Sequence, residues 1–434
     1  MAVSRAILYA FHMGIETKPT WKDAEREGFY PLLQENTSAE VIIVGAGLAG
    51  VLTAYKLAKA GKQVVVLEKK KIGSGATEYT TAFLTNDIDT DLIDLVKMFG
   101  KDKAQLVWES HAAAISEIEH IAKEENIDCG FKRVSSIVYT NKEDGALDFQ
   151  EEVELASDMG FAVSLHPHND FNFKNFGYME TKNQAKYHPL KFLFGLAEAA
   201  RKYGVKFYED TEVVETEQQE NVWYAKTKEG FWATGTNLIL TTYYPLQNPV
   251  QTLFKKGMYV SYVMEALIPK GMIPENIYWD DANPYHYFRI DAYNGTHDRM
   301  IIGGEDHRAE IKIDEEKNYA ALEAYLRSIV GENYQITRKW NGPILEPSDG
   351  LALIGETYPN QYVATAFSGN GMTYSGVASI LLTDLVLARK NIWTGVYDPK
   401  RVPSLFQLFK KGSDYLGELF GGAGQNIFKS PRQA

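Results

Sequence analysis

Three glycines and one acid carry the most specific chemistry in this chain. Gly45-Ala46-Gly47-Leu48-Ala49-Gly50 has the G-x-G-x-x-G spacing and sits directly between an apolar β-branched run, Glu40-Val-Ile-Ile-Val44, and a segment that reads as a helix from Leu48 to Ala60, ended by Gly61. The first glycine permits a tight turn, the second lets backbone approach a pyrophosphate, and the third lets helix and strand pack closely. The helix N-terminus adds free N–H groups and partial positive charge. A second run, Gln63-Val-Val-Val-Leu67, follows and is closed by Glu68, near the spacing of about 20 residues at which an acid accepts from ribose hydroxyls. Lys69-Lys70-Lys71 beside it reads either as a solvated charge run or as a partner for a 2′-phosphate.

This fingerprint alone does not separate FAD from NAD. Two further glycine-rich stretches favour FAD. Ile72-Gly-Ser-Gly-Ala-Thr77 and Tyr79-Thr-Thr-Ala82 form an early flexible loop that could lie along an extended cofactor, and Phe367-Ser-Gly-Asn-Gly-Met-Thr373 joins a strand to the last long helix. A helix N-terminus there could aim its dipole at the flavin's pyrimidine edge, where negative charge gathers on reduction. Each loop could equally be an ordinary glycine turn.

The elements that must position these residues follow from periodicity. Strand, glycine turn, helix and strand within so short a span make a βαβ unit, whose right-handed crossover sets the two strands parallel. Apolar residues at three- and four-residue spacing predict helix from Asp91 to Glu125 and again from Leu190 to Tyr203, closed by Gly204. Met258 to Leu267, Tyr285 to Asp291 and Met300 to Gly303 read as strands joined by turns such as Asn294-Gly295, and therefore as an antiparallel sheet. Tyr362 to Phe367 and Thr373 to Arg389 return to strand and helix. The expected fold class is α/β, a Rossmann-like cofactor domain with a second α+β domain on a mainly antiparallel sheet.

Composition narrows the function classes. At 434 residues with 45% hydrophobic and 24% charged residues the chain is an ordinary globular one with room for two or three domains. Its net charge of −12 repels phosphate backbones, which argues against a nucleic-acid partner. One cysteine, Cys129, allows no intrachain disulfide and no cysteine-held iron–sulfur cluster. The longest nearly apolar run, Val41 to Tyr55, is too short to span a bilayer. Met1 to Gly14 shows no cleavage site and reads as a loosely ordered start, so the expected location is the cytoplasm. His166-Pro-His168 lacks an adjacent third ligand, Asp87, Asp89 and Asp91 fail the calcium-loop pattern at Leu92 and Met98, and no metal site is expected.

Together these residues resemble the superfamily of FAD-dependent oxidoreductases that holds D-amino acid oxidase, glycine oxidase, the sarcosine oxidases and the dimethylglycine dehydrogenases. The likeness is strongest to a branch that usually carries a C-terminal Rieske domain. It rests on Thr20-Trp21 with Tyr30-Pro-Leu32, Tyr79-Thr-Thr-Ala-Phe-Leu-Thr85, His188-Pro-Leu190, Ile302-Gly-Gly-Glu-Asp-His307 and Phe367-Ser-Gly-Asn-Gly-Met-Thr373, in that order. A Rieske centre needs two cysteines and two histidines, so that module is not expected here.

The resemblance implies a discontinuous FAD domain, residues 1–90, 181–249 and 345–400. The substrate domain would be 91–180 and 250–344, and 401–434 a helical tail, either packed on the body or docking a partner. FAD, held non-covalently, is expected to touch Gly45, Ala46, Gly47, Leu48, Ala49, Gly50, Glu68, Lys69, Ser74, Gly75, Ala76, Thr80, Thr81, Val213, Gly369, Asn370, Gly371, Met372 and Thr373. The implied reaction oxidises a C–N bond of a small amine or amino acid, with hydride passing to flavin N5. His307, Tyr287, Arg289 and Tyr259 are the catalytic candidates, with Tyr285 and His286 beside them. Arg289 could clamp a carboxylate or serve as a salt-bridge arginine, His307 could be a turn residue, and the tyrosines could be sheet core. Sarcosine oxidases place a lysine where Thr373 stands and another near Gly303, where this chain has none between Met300 and His307. A non-oxygen acceptor, such as an electron-acceptor protein, is therefore expected. A redox subunit serving such a partner and an NAD(P)-linked reductase are the alternative readings.

Overall fold

The computed structural model describes residues 15–26, 28–243, 258–311, 313–347 and 349–401; the expected loose start and the C-terminal tail lie outside them. Six strands form the cofactor-side sheet, in the order Leu353–Tyr358, Gln361–Thr365, Asn237–Leu240, Val41–Val44, Val64–Leu67 and Lys206–Tyr208. All neighbours are parallel except the first pair, a hairpin. The two central strands Val41–Val44 and Val64–Leu67 are unbroken apolar runs because both faces are covered. Val41 and Ile43 pack toward the helices, whereas Ile42 and Val44 pack toward Val213, Trp223, Ala225 and Ala233 of a small second sheet. That sheet runs Thr37–Ser38, Trp232–Gly235, Val222–Thr227, Val213–Gln219. Periodicity missed it because its outer face is rich in Glu and Gln, which read as loop.

Helices Leu48–Lys59, Pro189–Lys202 and Gly371–Val386 cover the other face. Pro189 opens its helix at a position needing no N–H donor, and the His188 ring accepts from the Lys191 N–H at 3.2 Å. The helical span from Asp91 is two helices, Leu92–Phe99 and Lys101–Glu124, broken at Gly100, whose φ is 85°. The second lies so close to Gly371–Val386 that a Cβ on Gly376 would stand 2.7 Å from that of Ala114.

The larger sheet is ordered Gln335–Leu345, Met258–Pro269, His297–Arg308, His286–Ala292, Ile277–Asp280, Lys132–Tyr139, Tyr178–Lys186 and Phe83–Leu84, with Val163–His166 also on Tyr178–Lys186. It is antiparallel except where Ile277–Asp280 meets Lys132–Tyr139. The turn at Asn294 forms as expected, its side-chain oxygen accepting from the N–H groups of Thr296 and His297. Helix Glu315–Val330, which the sequence reading did not anticipate, covers the far face. The expected boundaries need correction against the sheets. A break at 181 cuts the strand Tyr178–Lys186, whose pairing with Lys132–Tyr139 runs to residue 186, and Phe83–Leu84, expected on the cofactor side of 90, joins the same strand.

Candidate functional site

Between the C-terminal ends of the parallel strands and the near face of the larger sheet runs a cleft of about 860 Å³. It starts at the glycine turn. Gly45 has φ of 106° and faces Thr241, whose hydroxyl donates to the carbonyls of Val44 and Gly45. A Cβ on Gly50 would stand 2.0 Å from the Gly45 oxygen, so only glycine allows the helix to approach its strand. Gly45, Gly47, Leu48 and Ala49 line the cleft; Ala46 and Gly50 lie beneath it. The N-cap of helix Leu48–Lys59 is Gly47, with no side chain to cap it, and apart from the Leu48 N–H, which donates to Thr77 Oγ1 at 3.2 Å, its first turn is suited to a pyrophosphate.

Glu68 lines the cleft and accepts from the N–H groups of Ala46 at 2.8 Å and Lys70 at 2.9 Å, tying strand end to turn; burial pushes its carboxyl up. Lys69 also lines the cleft, paired with Glu212 at 2.6 Å, and Lys71 is paired with Asp210 at 2.6 Å. These surface pairs match a solvated run. Val213 closes the same end. A donor set of glycine turn, helix N-terminus and acid fits the adenosine diphosphate half of FAD.

The two flavin-side loops are held in unusual backbone. Ala82, Ala366 and Ser368 all have φ between 49° and 59°, a region that non-glycine residues rarely occupy. In the first loop, four consecutive carbonyls are held from behind. Trp340 Nε1 donates to Tyr79 O at 3.0 Å, Trp21 Nε1 to Thr80 O at 2.6 Å, and Arg289 Nη1 to Thr81 O at 3.1 Å and Ala82 O at 2.9 Å. With these satisfied, Thr80 and Thr81 line the cleft, as do Ser74, Gly75 and Ala76 before them. Gly369, Asn370, Gly371 and Met372 line it from the second loop, where the Asp89 carboxylate accepts from the Gly369 N–H at 2.8 Å. Thr373 does not: its hydroxyl accepts from the Thr85 N–H at 3.1 Å inside the protein.

The catalytic candidates divide. Tyr287 lines the cleft, its hydroxyl 2.8 Å from Ser261 Oγ and its ring over Gly303, where a Cβ would come within 2.5 Å of it. Tyr285 lines it as well. Arg289 is corrected from substrate clamp to scaffold. It is 3% exposed, holds Asp291 through Nε and Nη2 at 2.9 to 3.2 Å, and its Nη1 serves three carbonyls, including Tyr187 O. His307 is also corrected. Its ring stacks on Tyr262, away from the cleft, while Tyr259 packs against Arg308.

A β-bulge explains the displacement of His307. Tyr287 pairs with Gly303 and His286 with Gly304, but across the sheet Val260 pairs with His307 and Tyr262 with Gly304, so one residue is extra, and Glu305 takes φ of 57°. Glu305 therefore turns to His286 on the far face, and Asp306, not His307, reaches Ser261. Burial, with Asp89 and Glu346 adding like charge, pushes Asp306 up to about 7. Residues that sequence reasoning left out include Trp279, Ser261 and Thr241, all on the cleft wall with Phe83, which was read only as part of the Tyr79–Thr85 stretch. Nothing in their local spacing marks them. Asp89 was visible, but only as part of a failed calcium pattern.

Comparison with known proteins agrees with this geometry. A family model described as "DAO: FAD dependent oxidoreductase" matches residues 40–385. The chain is 29% identical over 420 residues to a Bacillus subtilis protein named putative Rieske 2Fe-2S iron-sulfur protein YhfW, covering 95% of this chain and 82% of that one. It is 24% identical over 376 residues to the gamma-glutamylputrescine oxidoreductase of Escherichia coli, covering 82% and 85%. Among solved structures, glycine oxidase from Geobacillus kaustophilus superposes with a TM-score of 0.72 at 18% identity, over 85% of this chain and all of that one, a likeness of fold.

Proposed function

The chain belongs to the DAO family of FAD-dependent oxidoreductases, and from that premise we propose that it oxidises the C–N bond of a small amine or amino acid and passes the electrons to an acceptor other than oxygen. The observation that carries this reading is the cleft itself, continuous from the glycine turn at Gly45 to Tyr287 on the larger sheet. When bound, FAD supplies the acceptor for the hydride that leaves the carbon beside the substrate nitrogen. The nitrogen must first lose its ammonium proton, and Asp306, hydrogen-bonded behind Ser261 on the cleft wall, would take it through the Ser261 hydroxyl. The resulting imine reacts with water to give a carbonyl compound and an amine.

Tyr287 and Tyr285 stay neutral, since burial raises both phenols well above their usual range, so they orient substrate and do not act as bases. The aromatic wall narrows access of water while the C–H bond breaks. A non-oxygen acceptor is supported by the stretch Met300 to His307, which holds no lysine, and by the Tyr287 ring packed over Gly303. Likeness to a chain named as an iron–sulfur protein favours a protein acceptor. Anaerobic mixing of the yellow protein with amines and amino acids tests the reaction: bleaching of the flavin is expected, and no bleaching across both classes rejects it. Rapid re-oxidation of the reduced protein by air rejects the acceptor assignment.

A further inference from the structure

The substrate end of the cleft is aromatic and acidic. Phe83 stacks on Trp279 with centroids 6.3 Å apart and meets the Tyr287 ring edge-on at 5.8 Å, and Tyr285 lies 5.9 Å from Tyr287. All four rings line the cleft. Aromatic faces attract ammonium groups and give nothing to a carboxylate.

Carboxylates stand among these rings. Asp87, 7% exposed, lines the cleft with Oδ2 accepting from Ser136 Oγ at 2.8 Å and with the Thr181 hydroxyl beside it. Asp306 behind Ser261 has a buried oxygen, Oδ1, with no partner. Asp89 and Asp281 add further negative charge to the wall.

Positive charge is elsewhere. Among the described residues the cations lining the cleft are Lys69 and Lys70, beside Glu68, and Lys142, which pairs with Asp281 at 3.0 Å. Arg289, the one arginine expected to hold a carboxylate, is fully engaged behind the Tyr79–Ala82 backbone. Among the described residues a substrate carboxylate would thus find like charges and no cation on this wall other than the Asp281-paired Lys142, whereas an ammonium would meet the Asp87 carboxylate and ring faces. Resting on the C–N oxidation reading, we propose that this site selects cationic amines that carry no free carboxylate. Burial holds Asp87 near 6 and Asp306 near 7, as expected for carboxyls waiting for a counter-charge.

The test uses the flavin-loaded full chain. Benzyltrimethylammonium, which cannot form an imine, and benzoate are each titrated while the visible flavin spectrum and tryptophan fluorescence are followed. The cation is expected to bind at least tenfold tighter than benzoate. Asp306→Asn, and independently Asp87→Asn, should each weaken the cation about tenfold with flavin content unchanged. In anaerobic bleaching, n-butylamine and 1,4-diaminobutane should outpace sarcosine and alanine. Tighter benzoate binding, or faster bleaching by the amino acids, overturns the proposal while leaving C–N oxidation intact. If the cation binds as expected and no compound of either class bleaches the flavin, the cation site stands and the oxidation reading falls.

Discussion

Single residues show how far spacing can reach. Glu68 was legible because strand, turn and acid sit at fixed intervals, and its two backbone hydrogen bonds explain why that interval matters. Glu68→Ala removes the acceptor from the turn and from the position proposed to hold the ribose; hydrogen bonds to a charged group are worth about 1.5–3 kcal/mol, so FAD affinity should fall roughly 10- to 100-fold by flavin titration. Arg289 was legible as chemistry but not as role, because its partners are carbonyls far away in the chain. His286 belongs to a network that sequence could not assemble. Burial opposes its charging, but hydrogen bonds to Asp280 and Glu305 outweigh this and hold the imidazole at about 9 against an ordinary 6.5. A raised folded-state value stabilises fully below pH 6.5 and is lost as pH climbs through 9, by at most about 3 kcal/mol. Urea midpoints measured from pH 6 to 9.5 should fall across that window in the parent protein and lose this component in His286→Gln.

At the scale of elements, glycine and backbone decide the outcome. In Gly50→Ala, a Cβ would stand 2.0 Å from the Gly45 oxygen, so the first helix must move away from its strand. Loss of bound flavin together with a lowered melting temperature is the expected result; an unchanged flavin stoichiometry would refute it. The Tyr79–Ala82 loop is shaped from behind by Trp21, Trp340 and Arg289. Among the described residues, Arg289→Met leaves the Thr81 and Ala82 carbonyls without their side-chain donor and Asp291 with Lys186 as its remaining cation. Breaking such a buried pair costs about 3–5 kcal/mol, so we expect a large drop in urea midpoint and weaker flavin retention. A substrate clamp would instead show a raised KM at unchanged stability. The elements read best from sequence were the apolar strands and helices around the cofactor. The small sheet was missed because its outer face is rich in Glu and Gln, which read as loop, and the bulge at Glu305 was missed because register depends on the partner strand.

At the scale of the whole molecule, the six-stranded sheet, backed by the small sheet, and the larger sheet meet at the cleft, and the chain crosses between them several times. Among the described residues no helix is long and apolar enough to cross a membrane. Cys129 is buried and does not line the cleft, so acid precipitation should leave FAD in the supernatant; flavin retained in the pellet would disprove non-covalent attachment. The sequence by itself determined the family, the cofactor and the glycine turn proposed to hold the pyrophosphate, because such a turn is local: its glycines, helix start and acid are set by short-range sterics and hydrogen bonds within one βαβ unit. Only the tertiary structure decided the substrate end. There the wall is assembled from Phe83 and Asp87, Ser261, Trp279 and Tyr287, which come from four different stretches of chain, and a single extra residue in one strand turns Asp306, and not His307, toward Ser261 on that wall. Side-chain direction in a sheet alternates with every residue, so which face a residue takes is fixed by pairing across the sheet and not by its neighbours in sequence.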